Sequence, residues 1–255
     1  MQVYIADDGL RAADLTAELM IKAYHDGART FGLATGQTMV PVYQALVDRI
    51  RAQGLDVSRD DLETFNLDEY VGLPATHPGS FRQFMQEYLF SPLHLPSERC
   101  HLLNGMAADL NQECAHYDEL LERRGLDVQL LGIGTNGHIG YNEPGTAWES
   151  RTHRMRLSHD TIAQNRDQFP GDLPEEALTM GIWSILQAKA ILVVAIGASK
   201  AEAVAKAICG PLDVNLPASA LQNHPDVTYL LDAKAAERLL ADQSANEDRM
   251  VIRRV

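Results

Sequence analysis

Two adjacent carboxylates give the first indication of chemistry in this sequence. Asp68 and Glu69 directly follow the apolar segment 62–67. A carboxylate partly shielded from water at the end of a strand has a raised pKa and can act as a general base. The structural alternative is a solvated pair, or an aspartate that caps a local turn. Taken alone, the pair favours the structural alternative.

A histidine and a glutamate share the glycine-rich segment 132–144. His138 and Glu143 lie close together there, after a short apolar run. Histidine transfers protons near neutral pH, and a carboxylate can orient it and stabilise its charged form. The alternative is a histidine that satisfies loop backbone groups. We favour the catalytic role, because so many specialised residues fall in one loop. The segment also contains the G-x-G-x-x-G pattern of dinucleotide-binding loops, but Gly140 and Pro144 interrupt the helix that such a loop requires. A metal site is a weaker alternative, because no third ligand is evident beside the histidine and the glutamate.

Two further loops have the composition of anion sites. Thr35, Gly36, Gln37 and Thr38 stand between a predicted strand and a predicted helix. Lys200 closes a similar segment at 197–200. Free amides at a helix start favour an anion, and a lysine adds positive charge. A plain turn capped by Thr38 and a solvated lysine are the alternatives. Together the loops predict an acid–base enzyme that acts on a small phosphorylated compound and needs no organic cofactor or metal.

The elements that must position these loops alternate along the chain. Apolar, β-branched runs predict strands at 2–6, 30–34, 62–67, 127–133 and 190–196, with helical patterns between them. Runs that are apolar on both faces are typical of a parallel sheet covered by helices. We therefore predict the α/β class, with a single doubly wound, mostly parallel sheet in one domain, 1–255. In such sheets ligands bind at the carboxyl ends of the strands, where all four loops fall.

Composition excludes several other classes. The 255 residues carry a net charge of −13, which opposes a nucleic-acid or anionic-membrane binder. Three widely spaced cysteines indicate reduced thiols rather than a disulfide framework. The N-terminus lacks the pattern of a signal peptide, and the apolar run 190–199 is too short to span a membrane. We expect a soluble, cytoplasmic protein.

At these loops the sequence closely resembles the glucosamine-6-phosphate deaminase family. The resemblance covers roughly nine-tenths of the chain. Its most specific motifs are FNLDEYVGL and GHIGYNEP. The matching stretches are LATGQT at 33–38, FNLDEYVGL at 65–73, HPGSF at 77–81, LLGIGTNGHIGYNEPGT at 130–146, SRT at 150–152, ALTMG at 177–181, IGASKA at 196–201 and PASALQNH at 217–224.

The resemblance implies a reaction and a role for each loop. The family resembles sugar-phosphate isomerases and lactonases in fold, and converts glucosamine 6-phosphate and water reversibly into fructose 6-phosphate and ammonia. Asp68 would move the proton between C2 and C1. His138 would help to open the pyranose ring, with Glu143 and Asn136 around it. The loop of Thr35, Gly36, Gln37 and Thr38, together with Lys200 and Arg166, would hold the phosphate.

The chain also departs from the family pattern. The phosphate loop of the family reads T-G-G-T-P or T-G-S-T-P, whereas Gln37 and Met39 stand here. Asn136 replaces an aspartate found in many members, so the anionic partner of His138 would be Glu143. The phosphate arginine of the family matches Arg166 after a shift of one residue; without the shift, Asp167 falls there. Segment 151–156 lacks the arginine and lysine pattern of the allosteric N-acetylglucosamine-6-phosphate site, which predicts weak or absent activation by that effector.

Three alternative functions are compatible with parts of this pattern. The same chemistry on galactosamine 6-phosphate differs only in the orientation of one hydroxyl. A 6-phosphogluconolactonase shares the fold but lacks the N-E-P of residues 142–144. A non-catalytic sugar-phosphate sensor would need a DNA-binding segment that we do not find. The family includes monomers and hexamers, so a homo-oligomer is compatible with the resemblance.

Overall fold

The computed structural model describes residues 1–166, 169–241 and 250–255, and its centre is a parallel sheet of eight strands. All neighbouring strands in this sheet run parallel. Their spatial order is β11-β1-β10-β9-β6-β2-β3-β5. The bounds are β1 Gln2–Ala6, β2 Thr30–Leu33, β3 Glu63–Asn66, β5 Cys100–His101, β6 Val128–Gly132, β9 Ala190–Ala195, β10 Val227–Asp232 and β11 Val251–Arg254; β4, β7 and β8 form a second sheet, described below.

Helices cover both faces of the sheet because its central strands are apolar on both sides. Every residue of β10 is buried, and so are all but the first of β9. The helices are α1 Gly9–His25, α2 Met39–Ala52, α3 Phe81–Met85, α4 Leu110–Arg124, α5 His159–Arg166, α6 Ile182–Ile185, α7 Ala201–Cys209 and α8 Glu237–Ala241. A π-helical turn, Gln86–Phe90, continues α3. The predicted α/β class with a doubly wound parallel sheet is thus confirmed.

A second, three-stranded antiparallel sheet differs from the prediction of a single sheet. It contains β4 Asp68–Tyr70, β7 His153–Arg156 and β8 Glu176–Thr179, in the order β4-β8-β7. Strands of three or four residues are too short for a clear periodicity, which is why the sequence pattern did not reveal them. Residues 68–70 were assigned to a loop, but they form the edge strand of this sheet.

The chain passes between the two sheets at the predicted carboxylate pair. β3 ends at Asn66 in the main sheet, and β4 begins at Asp68 in the small one. The amide of Met180 donates to the carbonyl of Leu67, and Asp68 stands opposite Thr179. Asp68 therefore lies where the carboxyl edge of the main sheet meets the small sheet.

Four neighbouring strands of the main sheet, β9, β6, β2 and β3, precede the four predicted loops. Because these strands are parallel, their carboxyl ends lie on one edge and bring the loops together. No helix among residues 1–166, 169–241 and 250–255 is long and apolar enough to cross a membrane.

Candidate active site

A cleft opens at this edge of the sheet. The four loops, α3 and α5 contribute its walls. The lining residues are Ala34, Thr35, Gly36, Gln37, Thr38, Met39, Leu67, Asp68, Phe81, Gly132, Ile133, Gly134, His138, Gly140, Tyr141, Gln164, Asn165 and Lys200. The predicted base, the predicted histidine and both predicted anion loops therefore face one space.

The loop before α2 has the geometry of an anion site. Gly36 adopts φ +101°, a left-handed conformation that favours glycine, and the amide of Met39 donates back to its carbonyl. Thr38 occupies the N-cap position without a side-chain capping bond, so the capping considered as the structural alternative is absent. Gln37 is exposed. The first amides of α2 are already used, because Met39 and Val40 donate to the carbonyls of Gly36 and Gln37 and Pro41 has no amide hydrogen. An anion would therefore be held by the loop itself rather than by the helix terminus.

Lys200 supplies a positive charge to the same cleft. It ends a short turn of 3₁₀ helix, Ala198–Lys200, directly before α7. Burial lowers the pKa of its ammonium group. A partly desolvated ammonium gains most from an anionic partner, so this lysine suits an anionic ligand in the cleft.

Asp68 is a buried carboxyl in the floor of the cleft. It is 6% exposed, so the solvated pair considered from the sequence does not occur. Burial and, to a smaller extent, the charge of neighbouring Glu69 raise the pKa of Asp68 to about 8, although a hydrogen bond from Thr35 opposes the shift. A carboxyl with a pKa near the working pH can both accept and return a proton.

Glu69 has a different environment from that of its neighbour. Its carboxylate accepts the amides of Tyr70 at 2.9 Å, Phe81 at 3.0 Å and Arg82 at 3.0 Å. Burial raises the pKa of Glu69, although these amides and the charge of Arg82 oppose the shift. Glu69 thus anchors the start of α3, whose Phe81 lines the cleft.

The ring of His138 lies against the backbone of Gly134. A Cβ atom at position 134 would come within 2.4 Å of the imidazole, so the ring can occupy this place only beside glycine. Its Nδ1 is buried and has no hydrogen-bond partner among the described residues. Burial lowers the pKa of His138, and Lys200 lowers it further, while Glu143 opposes the shift. The lowered pKa keeps the imidazole neutral near neutral pH.

Glu143 and Asn136 lie behind this histidine. Oε2 of Glu143 is 3.9 Å from Nδ1 of His138, and it accepts the side-chain amide of Asn136 at 2.9 Å. The amide of His138 in turn donates to Oδ1 of Asn136 at 3.1 Å. Burial alone would raise the pKa of Glu143, but hydrogen bonds from Thr161 and Ser158 and the nearby His138 lower it. Glu143 is therefore an anion held close to the imidazole.

Arg166 is the one predicted phosphate ligand that the cleft does not include. It is the last residue of α5 and is exposed. Gln164 and Asn165 of the same helix line the cleft, and the Gln164 side chain donates to the hydroxyl of Thr135 at 2.7 Å. Asp167, the alternative residue in the alignment, lies outside the described residues.

Sequence reasoning assigned no role to several residues of the cleft. Tyr141 stands inside the quoted motif GHIGYNEP, and its hydroxyl bonds that of Tyr70 at 2.7 Å. Phe81 likewise ends the quoted HPGSF stretch. Gln164 and Asn165 carried no signal apart from their position beside Arg166. Among the described parts of the chain, no group of three or more histidine, cysteine, aspartate or glutamate side chains is placed to hold a metal ion.

The family model for glucosamine-6-phosphate isomerases and 6-phosphogluconolactonases matches residues 9–230. The chain belongs to this family. A glucosamine-6-phosphate deaminase of Listeria monocytogenes serotype 4a is 45% identical over 242 residues, which are 94% of this chain and 100% of that protein. A protein of the same name from Shouchella clausii is 46% identical over 210 residues, covering 81% and 84% of the two chains. The predicted resemblance is confirmed.

Solved structures of the isomerase and lactonase family give the same fold. A monomeric glucosamine-6-phosphate deaminase superposes with a TM-score of 0.89 at 40% identity, covering 93% of this chain and all of that one. A 6-phosphogluconolactonase from Leishmania guyanensis superposes with a TM-score of 0.74 at 20% identity, covering 93% and 98%. The latter likeness concerns the fold alone.

Proposed function

We propose that this protein is an enzyme that converts glucosamine 6-phosphate and water into fructose 6-phosphate and ammonia, a step of amino sugar breakdown. The observation that carries the proposal is the meeting of Asp68, His138 and the anion loops in one cleft. Relatives about 45% identical bear the name of this activity. The roles of the individual side chains follow from their surroundings.

Phosphate binding orients the sugar. The loop of Thr35, Gly36, Gln37 and Thr38 and the ammonium group of Lys200 line the cleft and would hold the phosphate. An anion held there leaves the rest of the sugar to extend towards Asp68 and His138. Binding the phosphate fixes the position and orientation of the sugar relative to the two catalytic groups, which lowers the entropic part of the barrier.

His138 is suited to ring opening. A neutral imidazole accepts the proton of the anomeric hydroxyl, and the ring C1–O5 bond then breaks as the proton is delivered to O5. The nearby anion of Glu143 stabilises the imidazolium that exists between these two transfers. Asn136 holds Glu143 in place for this task.

Asp68 is suited to the isomerisation. In the open chain it removes the proton from C2, whose electron pair forms the C2=C1 double bond while the C1=O π pair moves to O1, giving an enolamine. The protonated carboxyl then returns the proton to C1 as the nitrogen pair forms the C2=N bond, and O1 takes a proton from this iminium nitrogen. Water hydrolyses the resulting C2 imine to the ketone and ammonia. The raised pKa of Asp68 makes the return of the proton easier than for an ordinary carboxylate.

Ammonia release from the purified protein tests this proposal. Glucosamine 6-phosphate is the substrate, with galactosamine 6-phosphate and unphosphorylated glucosamine in parallel, and Asp68→Asn as the matched variant. We expect release from glucosamine 6-phosphate alone, and we expect it to vanish in Asp68→Asn. Release only from the galacto epimer would change the substrate, and no release from either phosphate would overturn the proposal.

We further infer that residues 1–255 act as one domain, because the cleft draws its lining from segments spread from Ala34 to Lys200. A cytoplasmic location remains part of the proposal. The thiols of Cys100 and Cys114 are buried and not in disulfides, which suits a reducing compartment.

A further inference from the structure

The side chain of Tyr43 reaches back to the start of the phosphate loop, residues 35–38. Tyr43 belongs to α2, the helix that follows this loop, and its side chain is fully buried. Its hydroxyl donates to the carbonyl of Ala34, the residue that precedes the loop. A carbonyl can only accept a hydrogen bond, so the direction of this bond is fixed. The bond therefore joins the chain on the two sides of the phosphate loop.

The carbonyl of Ala34 depends on this tyrosine. β2 ends one residue earlier, at Leu33, whose carbonyl accepts the amide of Leu67. Among the described residues, only Tyr43 donates to the carbonyl of Ala34, which is 4% exposed. A buried carbonyl without a partner costs free energy. Burial and the charge of Asp68 raise the pKa of Tyr43, so the hydroxyl keeps the proton that it donates.

The peptide between Ala34 and Thr35 transmits this contact to the phosphate loop. It is planar and trans, so its carbonyl and its N–H group point to opposite sides. Because the carbonyl is directed at Tyr43, the amide of Thr35 is directed away from it. In the part of the chain that the structure describes, the amides of residues 35–38 donate to no backbone or side-chain acceptor. These residues line the cleft, whereas Tyr43 does not.

We propose that Tyr43 is the positioning residue of the phosphate loop: its hydroxyl holds the carbonyl of Ala34 and thereby keeps the loop amides turned towards the phosphate of the bound sugar. The inference rests on the proposed function, because it assumes that a sugar phosphate occupies the cleft. Tyr43 lies outside the cleft lining, so it acts through the backbone of the loop. Donors that are already in place bind an anion more tightly than donors that must first be ordered.

Binding of inorganic phosphate, which no step of the reaction consumes, gives the direct test. Its Kd is measured by calorimetry on the unaltered chain and on Tyr43→Phe, which removes one oxygen and keeps the ring. We expect this Kd to rise about three- to tenfold, the effect of one lost hydrogen bond. KM for glucosamine 6-phosphate should rise by a similar factor and kcat should change less, because the phosphate is bound in the ground state and in the transition state alike.

Tyr117→Phe is the matched control for this variant. Tyr117 is also buried, and its hydroxyl donates at 2.7 Å to the carbonyl of Asn66, at the end of the neighbouring strand β3. Both variants take a buried hydroxyl from a carbonyl at a strand end, so both should lower Tm to a similar extent. Only Tyr43→Phe should weaken phosphate binding. Tyr43→4-aminophenylalanine keeps a donor at the tip of the ring and should restore the affinity.

The outcomes separate this inference from the proposed function. An unchanged phosphate Kd in Tyr43→Phe, equal weakening in Tyr117→Phe, or no rescue by the amino group overturns the inference, while ammonia release by the unaltered chain still upholds the reaction. Phosphate binding that depends on Tyr43, without ammonia release, supports the inference and overturns the reaction. Should Tyr43→Phe not fold, hydrogen exchange in the unaltered chain decides. Added phosphate is expected to protect the amides of residues 35–38, and unchanged exchange overturns the inference.

Discussion

Glu69 is covalently next to Asp68, yet the two carboxylates face different surroundings. Asp68 lines the cleft, whereas Glu69 accepts the amides of Phe81 and Arg82 at 3.0 Å each. Successive residues of a strand point to opposite faces, which separates two side chains that share a peptide bond. The fixed charge of Glu69 is close enough to raise the pKa of Asp68. One carboxylate therefore anchors α3 and also tunes the basicity of the other.

The pH dependence of catalysis follows from this pair. Asp68 must be ionised to take the C2 proton, and its pKa is raised to about 8. We therefore expect kcat/KM to rise with pH and to level off above about pH 8. In Glu69→Gln the rise should move to lower pH, by roughly one pH unit, because a like charge has been removed. Rate measurements from about pH 5 to about pH 10 check this. A plateau already reached near pH 6, or a shift to higher pH, contradicts it.

Asp68→Asn should abolish activity and stabilise the fold. The folded pKa of about 8 lies above an unfolded value of about 3.9, so the folded protein binds more protons in that range. The free energy of unfolding attributable to Asp68 thus falls as pH rises from about 4 to about 8. Removing the carboxyl abolishes this loss. Each kcal/mol gained raises Tm by roughly 2–4 °C in a chain of this size, so we expect several degrees at about pH 8.

Asp118→Asn is the matched control for that experiment. Asp118 is also buried, but it accepts the amide and hydroxyl of Thr152 and the hydroxyl of Ser184, away from the cleft. Its replacement should cost about 1–3 kcal/mol of stability and leave kcat unchanged. Calorimetric melts of both variants decide the matter. A lower Tm for Asp68→Asn would contradict the burial argument.

Gly134→Ala should damage catalysis more than stability. Its Cβ would lie 2.4 Å from the imidazole of His138 and displace the ring. A displaced acid–base group typically lowers kcat by about 10²-fold or more. Gly145→Ala is a suitable control, because Gly145 has φ +90° and nothing within 4 Å of the added atom. It should cost roughly 1–2 kcal/mol of stability and leave kcat intact. Equal kcat losses in the two variants would disprove the role of close approach.

Phosphate affinity should depend on Lys200 far more than on Arg166. Lys200 lines the cleft and is half-buried, whereas Arg166 is exposed at the end of α5. Lys200→Met is expected to raise KM for glucosamine 6-phosphate by about tenfold or more, and Arg166→Met by less than about twofold. Competitive inhibition by inorganic phosphate gives an independent readout. The reverse ranking would place the arginine in the site.

Activation by N-acetylglucosamine 6-phosphate should be weak or absent. Each arginine of segment 151–156 already pairs with a carboxylate: Arg151 with Glu122, Arg154 with Glu176 and Arg156 with Glu175. Arg151 also lies over the ring of Trp183 at 4.1 Å. A phosphate effector would have to compete with these partners. Substrate saturation curves with and without the effector test this, and a clear fall in KM on its addition is the contrary result.

Much of the main sheet was accessible to pattern reasoning. The run at 190–196 became β9, which is almost entirely buried and continuously apolar, and the run at 2–6 became β1. The small sheet was missed, because β4 has only three residues and its apolar and polar residues show no alternation that would indicate a strand. Arg166 was proposed from an alignment with a family motif, and its exposure at the end of a helix could not be read from that alignment.

The sequence by itself determined which residue types end each strand, and therefore that Asp68, His138, Thr35 and Lys200 would meet at one edge of a parallel sheet. Because the strands are parallel, the loop that follows each strand lies at the same edge of the sheet, and each β–loop–α unit places its own loop there. Only the tertiary structure decided how each group behaves. The raised pKa of Asp68 comes mainly from burial, and the bond between Tyr70 and Tyr141 joins residues 71 positions apart. Burial and long-range hydrogen bonds depend on segments distant along the chain, which no local pattern encodes.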